Sequence, residues 1–212
     1  MNVFNLKKQI KLSAFGHDIL YEILKNDYVN VNDKISKLIK SGVLIKLKKG
    51  LYCFSIEYRE TPLDFVSISS IIYSPSYVSF EYALSYHSMI PERVQEISCA
   101  TSKNTKNYDT PIGRFSYKKI PLKAYPIGVN WLYDEIEGGR FIASPEKALC
   151  DKIKFDRGIG CLGQKAMINY LINDLRLQID FNLDIELIKK IADAYKSKNL
   201  NTLAIILTKG KI

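Results

Sequence analysis

The stretch "LIKSGVLIKLKKGLYCF", residues 38–54, decides the fold, because within it the apolar period changes from that of a helix to that of a strand. Upstream of Gly42, Ile35, Leu38 and Ile39 recur at helical spacing, so "NDKISKLIKSG" predicts a helix with Asn32 as its cap, Asp33 at its positive end and Gly42 at its stop. Beyond Gly42 the period becomes two. Val43, Ile45 and Leu47 fall on one face, and Lys46 and Lys48 point the other way. Gly50 supplies the backbone freedom of a tight turn, and "LYCF" returns as a second strand.

Six lysines lie between Lys34 and Lys49 with no acidic residue among them. Lys34, Lys37 and Lys40 recur every third residue and share the flank opposite the apolar stripe, with Ser36 and Ser41 nearby. A helix followed at once by a basic-tipped hairpin is the order of a winged helix-turn-helix, in which the helix enters the major groove and the wing lies along the backbone. On this expectation Ile45 and Leu47 anchor the hairpin to its own domain, and the lysines reach for phosphates. The candidate DNA-binding residues are Asn32, Lys34, Ser36, Lys37, Lys40, Lys46, Lys48 and Lys49. A supporting helix is expected at about 15–25, with Ile19, Ile23 and Leu24 buried and Ser13 as a cap. A third must be drawn from residues 2–11. The competing account of the same charges is a solvated face beside a lysine-blunted hairpin edge.

The rest of the 212-residue chain is consistent with this layout. Hydrophobic residues make up 47% and charged residues 25%, the balance of a folding globular protein. The net charge of +9 favours a polyanionic partner, and residues 1–60, with 11 Lys/Arg against 6 Asp/Glu, carry the denser excess. No run is apolar for long enough to span a membrane and no leader pattern opens the chain, so a cytoplasmic location is expected. Cys53, Cys99, Cys150 and Cys161 are scattered without paired spacing and read as buried thiols.

From "SIEYRETPLDF" the composition shifts, which divides the chain into domains at 1–58 and 59–212. Thr61 and Pro62 open a helix running through Leu63, Val66, Ile71 and Ile72 to Tyr73. Ser79 caps another, "FEYALSYHSM". Strands follow at about 95–102 and 114–120, with "NYDTPIG" as a turn-rich connection, and another pair flanks "EGG" at 137–139. Ser144 and Pro145 start a helix, and two more patterns lie at about 164–175 and 184–197. The fold class is therefore α+β, an N-terminal winged helix-turn-helix domain followed by a larger mixed α/β domain.

Chemistry-bearing motifs are absent. The two histidines, His17 and His87, have no metal-ligand spacing, and there is no phosphate loop, dinucleotide fingerprint, nucleophile elbow or zinc-protease motif. His87, six residues after Glu81, suits a helix surface or core better than a general base. Asp180, Asp184 and Glu186 cluster as a metal site would, or as the acidic start of a helix. Tyr73, Tyr77, Phe80, Tyr82 and Tyr86 could stack on bases, but their near-helical spacing suits a core or a protein interface. The expectation is a non-enzyme without cofactor or metal.

Taken together, "LIKSGVLIKLKKGLY", "YVSFEYALSYHSMIPE", "TPIGRFSYKKI" and "IASPEKALCDKI" resemble, in that order over residues 36–153, the AbiEi-type antitoxins of type IV abortive-infection toxin-antitoxin systems. The resemblance implies a winged-helix domain that binds the operator DNA of its own promoter, and a C-terminal domain that counters a nucleotidyltransferase toxin encoded beside it. It carries the basic helix and wing over to Lys34, Lys37, Lys40, Lys46, Lys48 and Lys49. This chain departs from the pattern in its short first half of the helix-turn-helix, and the likeness stops near residue 155. Two half-sites one DNA turn apart would call for a homodimer on DNA. The alternatives are a plain regulator or a solitary protein-interaction module, and an enzyme reading would need the Gly-Ser and Asp-x-Asp signature of the nucleotidyltransferase, which does not occur here.

Overall fold

In the computed structural model, which describes residues 3–178 and 182–210, the Gly42 break is a complete helix stop. The first part of the chain forms α1 (Val3–Gln9), β1 (Phe15–Gly16), α2 (His17–Leu24), α3 (Val31–Lys40), β2 (Leu44–Lys48) and β3 (Leu51–Phe54). At the end of α3, Gly42 takes φ +75°, its N–H bonds the Ile39 carbonyl, and the Val43 N–H bonds the Leu38 carbonyl. Those two bonds close the last turn on carbonyls that would otherwise lack partners, and Val43 and Leu38 are buried in one core. The start of α3 differs from expectation. Asn30 is the cap, its Oδ1 accepting the Asp33 N–H at 3.1 Å, and Asn32 lies inside the first turn. Ser13 does not cap α2, which begins after Gly16.

The hairpin is where the structure departs most from the expected packing. β1, β3 and β2 form a small antiparallel sheet in that order. Tyr52 and Phe54 face a core built from α1–α3 with Leu20, Ile35, Leu38 and Leu44, whereas Leu51 and Cys53 face a second, larger core. Strict alternation thus buries every residue of β3, because both faces of the strand are covered. Leu47 and, half-buried, Ile45 pack in the larger core, and a bulge between Lys46 and Lys48 sets Lys48 opposite Leu51, on that same side. Ile45 and Leu47, expected to hold the hairpin to its own domain, hold it to the rest of the molecule instead. A fully buried side chain such as Leu47 contributes about 1.5–3 kcal/mol, so the hairpin is fixed to both bodies.

That larger body is α+β. A six-stranded mixed sheet runs β6 (Lys106–Thr110), β7 (Gly113–Lys119), β5 (Ile97–Thr101), β4 (Ser76–Val78), β9 (Gly138–Ala143), β8 (Val129–Asp134). The β5–β7 and β4–β9 pairs are parallel and the others antiparallel. Helices α4 (Phe65–Ile72), α5 (Phe80–Tyr86), α6 (Pro145–Phe155), α7 (Gln164–Asn169), α8 (Ile185–Tyr195) and α9 (Lys198–Thr208) accompany it. α4 starts later than expected because Asp64, not Thr61, caps it, with Oδ1 accepting from the N–H groups of Val66 and Ser67. The segment expected as one helix over 164–175 is α7 followed by a wider π turn at Tyr170–Asp174. β4, β6 and α9 were not foreseen.

Polar contacts tie the two bodies together. Ser13 Oγ accepts the Asp64 N–H at 2.9 Å, and the Ser13 N–H donates to Glu137 Oε1 at 2.8 Å. Within the larger body Asp64 is itself held by Arg140, whose Nε lies 3.0 Å from its Oδ2. Deep in the larger core, Lys147 and Asp151 of α6 are fully buried, with Nζ 3.0 Å from Oδ1. Asp151 also accepts from the hydroxyls of Tyr195, Ser79 and Tyr77, and Lys147 donates to the Ala124 carbonyl. One carboxylate thereby joins β4, α6 and α8. Satisfying every lone pair is what makes a buried ion pair tolerable.

The remaining sequence expectations fall as follows. Cys53, Cys99 and Cys150 are buried, but Cys161 is exposed, in an irregular stretch before α7. His87 Nε2 lies 2.8 Å from the Ala143 carbonyl oxygen, and Glu81 pairs with Lys152, so the two do not form an acid–base couple. Asp184 caps α8 and Glu186 pairs with Lys189, while Asp180 lies outside the described residues. Among the described residues, no helix is long and apolar enough to cross a membrane.

Candidate nucleic-acid interface

α3 buries Val31, Ile35 and Leu38 and leaves Asn32, Asp33, Ser36, Lys37 and Lys40 exposed, with Lys34 half-buried beside them. The apolar stripe therefore fixes which way the polar side points. Asn30 capping frees the Asn32 side chain, whose Oδ1 lies 2.7 Å from His17 Nε2, a direct link between the starts of α3 and α2. The hairpin is held to the same place, since the His17 N–H bonds the Gly50 carbonyl at 2.9 Å. Helix start and hairpin loop are thus fixed to one residue.

The lysines are not equivalent. Lys37 pairs with Asp33 at 2.8 Å, and this carboxylate holds its ammonium pKa above the ordinary value. Both groups are exposed, so the pair adds little to stability and offsets part of the positive potential. Lys34 lies over the Tyr28 ring, 4.8 Å from its centroid, which orients a chain that would otherwise sample many rotamers. Lys40, Lys46 and Lys49 are exposed and have no side-chain partner among the described residues. Lys46 shares a strand face with Leu44, which packs in the α1–α3 core, so it projects on the α3 side of the hairpin. Lys49 occupies the loop tip.

Lys48 is the exception among the expected residues. Its Nζ donates to the carbonyls of Ile72 at 2.6 Å and Ile71 at 3.3 Å, the last two residues of α4. A cation at a helix C-terminus neutralises carbonyls without intrahelical partners and the negative end of the dipole. This lysine fastens the hairpin to α4, and the bulge turns it to the other side of the strand from Lys46. Asn32, Lys34, Ser36, Lys37, Lys40, Lys46 and Lys49 remain as one solvent-facing set on α3 and the hairpin.

A second basic feature escaped the sequence reading. Lys7, Lys8 and Lys11 at α1 meet Arg59 around a cavity of about 410 Å³, and Arg59 Nη1 is buried there without a hydrogen-bond partner among the described residues. The signal was the "KKQIK" run, which contributes to the charge excess of the first 60 residues but lacks the helix–hairpin context that singled out residues 34–49. Comparison with protein-family models gives no match, and comparison with curated proteins gives none either.

Proposed function

We propose that this protein is a DNA-binding transcriptional autorepressor whose N-terminal part works as a winged helix, α3 in the major groove and the β2–β3 hairpin along the backbone. The observation that carries this reading is the solvent face of α3 together with the hairpin. Lys34, Lys37, Lys40, Lys46 and Lys49 accompany the hydrogen-bonding side chains of Asn32 and Ser36, and Asp33 is the only carboxylate within the two elements. Lysines neutralise phosphates and fix register, while Asn32 and Ser36 suit base-edge contacts. The resemblance to AbiEi-type antitoxins supports a wider role, in which the larger body counters a nucleotidyltransferase toxin encoded alongside.

Fluorescence anisotropy with a duplex from the protein's own promoter tests the first part. Binding should weaken with salt at roughly 0.9 log units per neutralised phosphate, so five lysines set a log–log slope of at most about 4.5. Affinity that is independent of salt, or no retention of duplex at 50–100 mM salt (roughly the range in which phosphate contacts dominate), contradicts it. Co-expression with the adjacent reading frame tests the second part, and relief of growth arrest is the expected result.

A further inference from the structure

We propose that the cavity between α1 and the start of the larger body binds a small phosphorylated molecule, held by Lys7, Lys8, Lys11 and Arg59. The cavity encloses about 410 Å³, within the usual range for small-molecule sites. α1 and residues 10–13 form one wall and the connection 58–63 a second, while Ile136 reaches it from the turn between β8 and β9. No residue of α3 lines it, nor do Lys46, Lys48 and Lys49, so the site shares nothing with the proposed DNA-binding set.

The charges decide the ligand class. Four cations line the cavity against one carboxylate, Glu60, whose side chain is 82% exposed and lies 3.6 Å from Lys7. Since Glu60 follows Arg59 in the chain, that contact brings the α1 lysines and the arginine to one place. Lys7 and Lys8 suit the negative end of α1, but Lys11 and Arg59 lie outside that helix. Arg59 is half-buried and makes no hydrogen bond or ion pair among the described residues, and nearby Glu57 accepts from Ser55 Oγ instead. Of its guanidinium nitrogens only Nη1 is both buried and unpartnered, so Nε and Nη2, equally unpartnered, stay within reach of a ligand. A planar fork of this kind matches paired phosphate oxygens.

Charge and apolar surface adjoin in the same lining. Lys8 Nζ sits 4.5 Å from the centroid of the Phe4 ring, and Phe4 and Ile136 are 55% and 49% exposed. An uncharged molecule would leave Arg59 without a partner. A monocarboxylate offsets one of the three excess positive charges, and a phosphate ester about two. Inorganic phosphate would leave Phe4 and Ile136 in water. A phosphate carried on a ring or other apolar body meets both demands, the phosphate on the cations and the body over the exposed side chains.

The test is calorimetric titration of the full-length protein with AMP, ADP, adenosine, inorganic phosphate and benzoate, at about 100 mM salt so that loose surface attraction is screened. Saturable binding of AMP or ADP, at least about tenfold tighter than that of the other three, is expected. Arg59→Met keeps the apolar stem and should weaken binding at least about tenfold, the loss of one charged hydrogen bond. Lys8→Gln with Lys11→Gln changes two exposed residues, should melt with the parent and should weaken binding by a similar factor, which keeps the test independent of how Arg59→Met folds. No binding of AMP or ADP, equally tight binding of adenosine, inorganic phosphate or benzoate, or the parent's affinity in both variants overturns the proposal. A loss of duplex-DNA affinity in Arg59→Met as large as its loss of nucleotide affinity assigns the cluster to the DNA backbone and overturns it as well.

Discussion

The Lys48 ammonium lies 2.6 Å from the carbonyl oxygen of Ile72, the last residue of α4. A side chain that the sequence assigns to DNA is thereby used to join the hairpin to the larger body. Replacing Lys48 by Met keeps the apolar stem and removes the charge, and should cost about 1–2 kcal/mol of stability through the lost charged hydrogen bonds and dipole interaction. Urea denaturation measures it. DNA affinity and its salt slope should stay those of the parent, in contrast to Lys49→Met at the adjacent position, where the slope should fall by about 0.9.

The buried pair in α6 makes a second prediction. Lys147→Met leaves the Asp151 carboxylate in the core without its cation, and should destabilise by about 3–5 kcal/mol. Replacing both residues by apolar ones of similar size should cost clearly less than the two single changes added together, because neither charge is then stranded. Equilibrium unfolding of the four proteins in the cycle gives the coupling directly.

Thiol chemistry provides a third. Burial pushes the Cys53 thiol up to about 11 and the Cys99 thiol up to about 12, from an ordinary value of 9.0. The folded thiols keep their protons where unfolded ones have lost them. Their contribution to stability is therefore complete below pH 9 and lost as the pH rises through 11–12. Melting temperature should fall over that alkaline window. Near neutral pH a disulfide-exchange reagent should react with Cys161 alone of the four cysteines in the native protein, and with all four after denaturation.

The sequence was most legible where local chemistry decides the outcome. Gly42 ends α3 by a backbone rule, Gly50 closes the hairpin, and Ser144 with Pro145 opens α6, its Oγ accepting the Lys147 N–H. Caps were misplaced by two or three residues at Asn30 and Asp64, because several Asx and hydroxyl side chains compete in each stretch and the winner is set by tertiary contacts such as Asp64 to Ser13. β4 has three residues and is buried on both sides, so it carries no alternation to read. The double burial of β3 was visible as the unbroken apolar run "LYCF", but a run of that length does not say what covers its second face. Seven of the eight proposed DNA-binding residues remain on the exposed side of α3 and the hairpin. Lys48 does not, since no one-dimensional pattern records that α4 ends beside it.

The central claim is that α3 and the hairpin bind duplex DNA through their lysines, and the salt dependence of a charge-reversed variant tests it most directly. Lys40→Glu with Lys49→Glu removes two exposed ammonium groups from different elements and leaves both cores untouched. The account predicts a variant as stable as the parent, with weaker binding to every duplex and a log–log salt slope lower by about 1.8. A variant that binds promoter DNA with the parent's affinity and slope would contradict it.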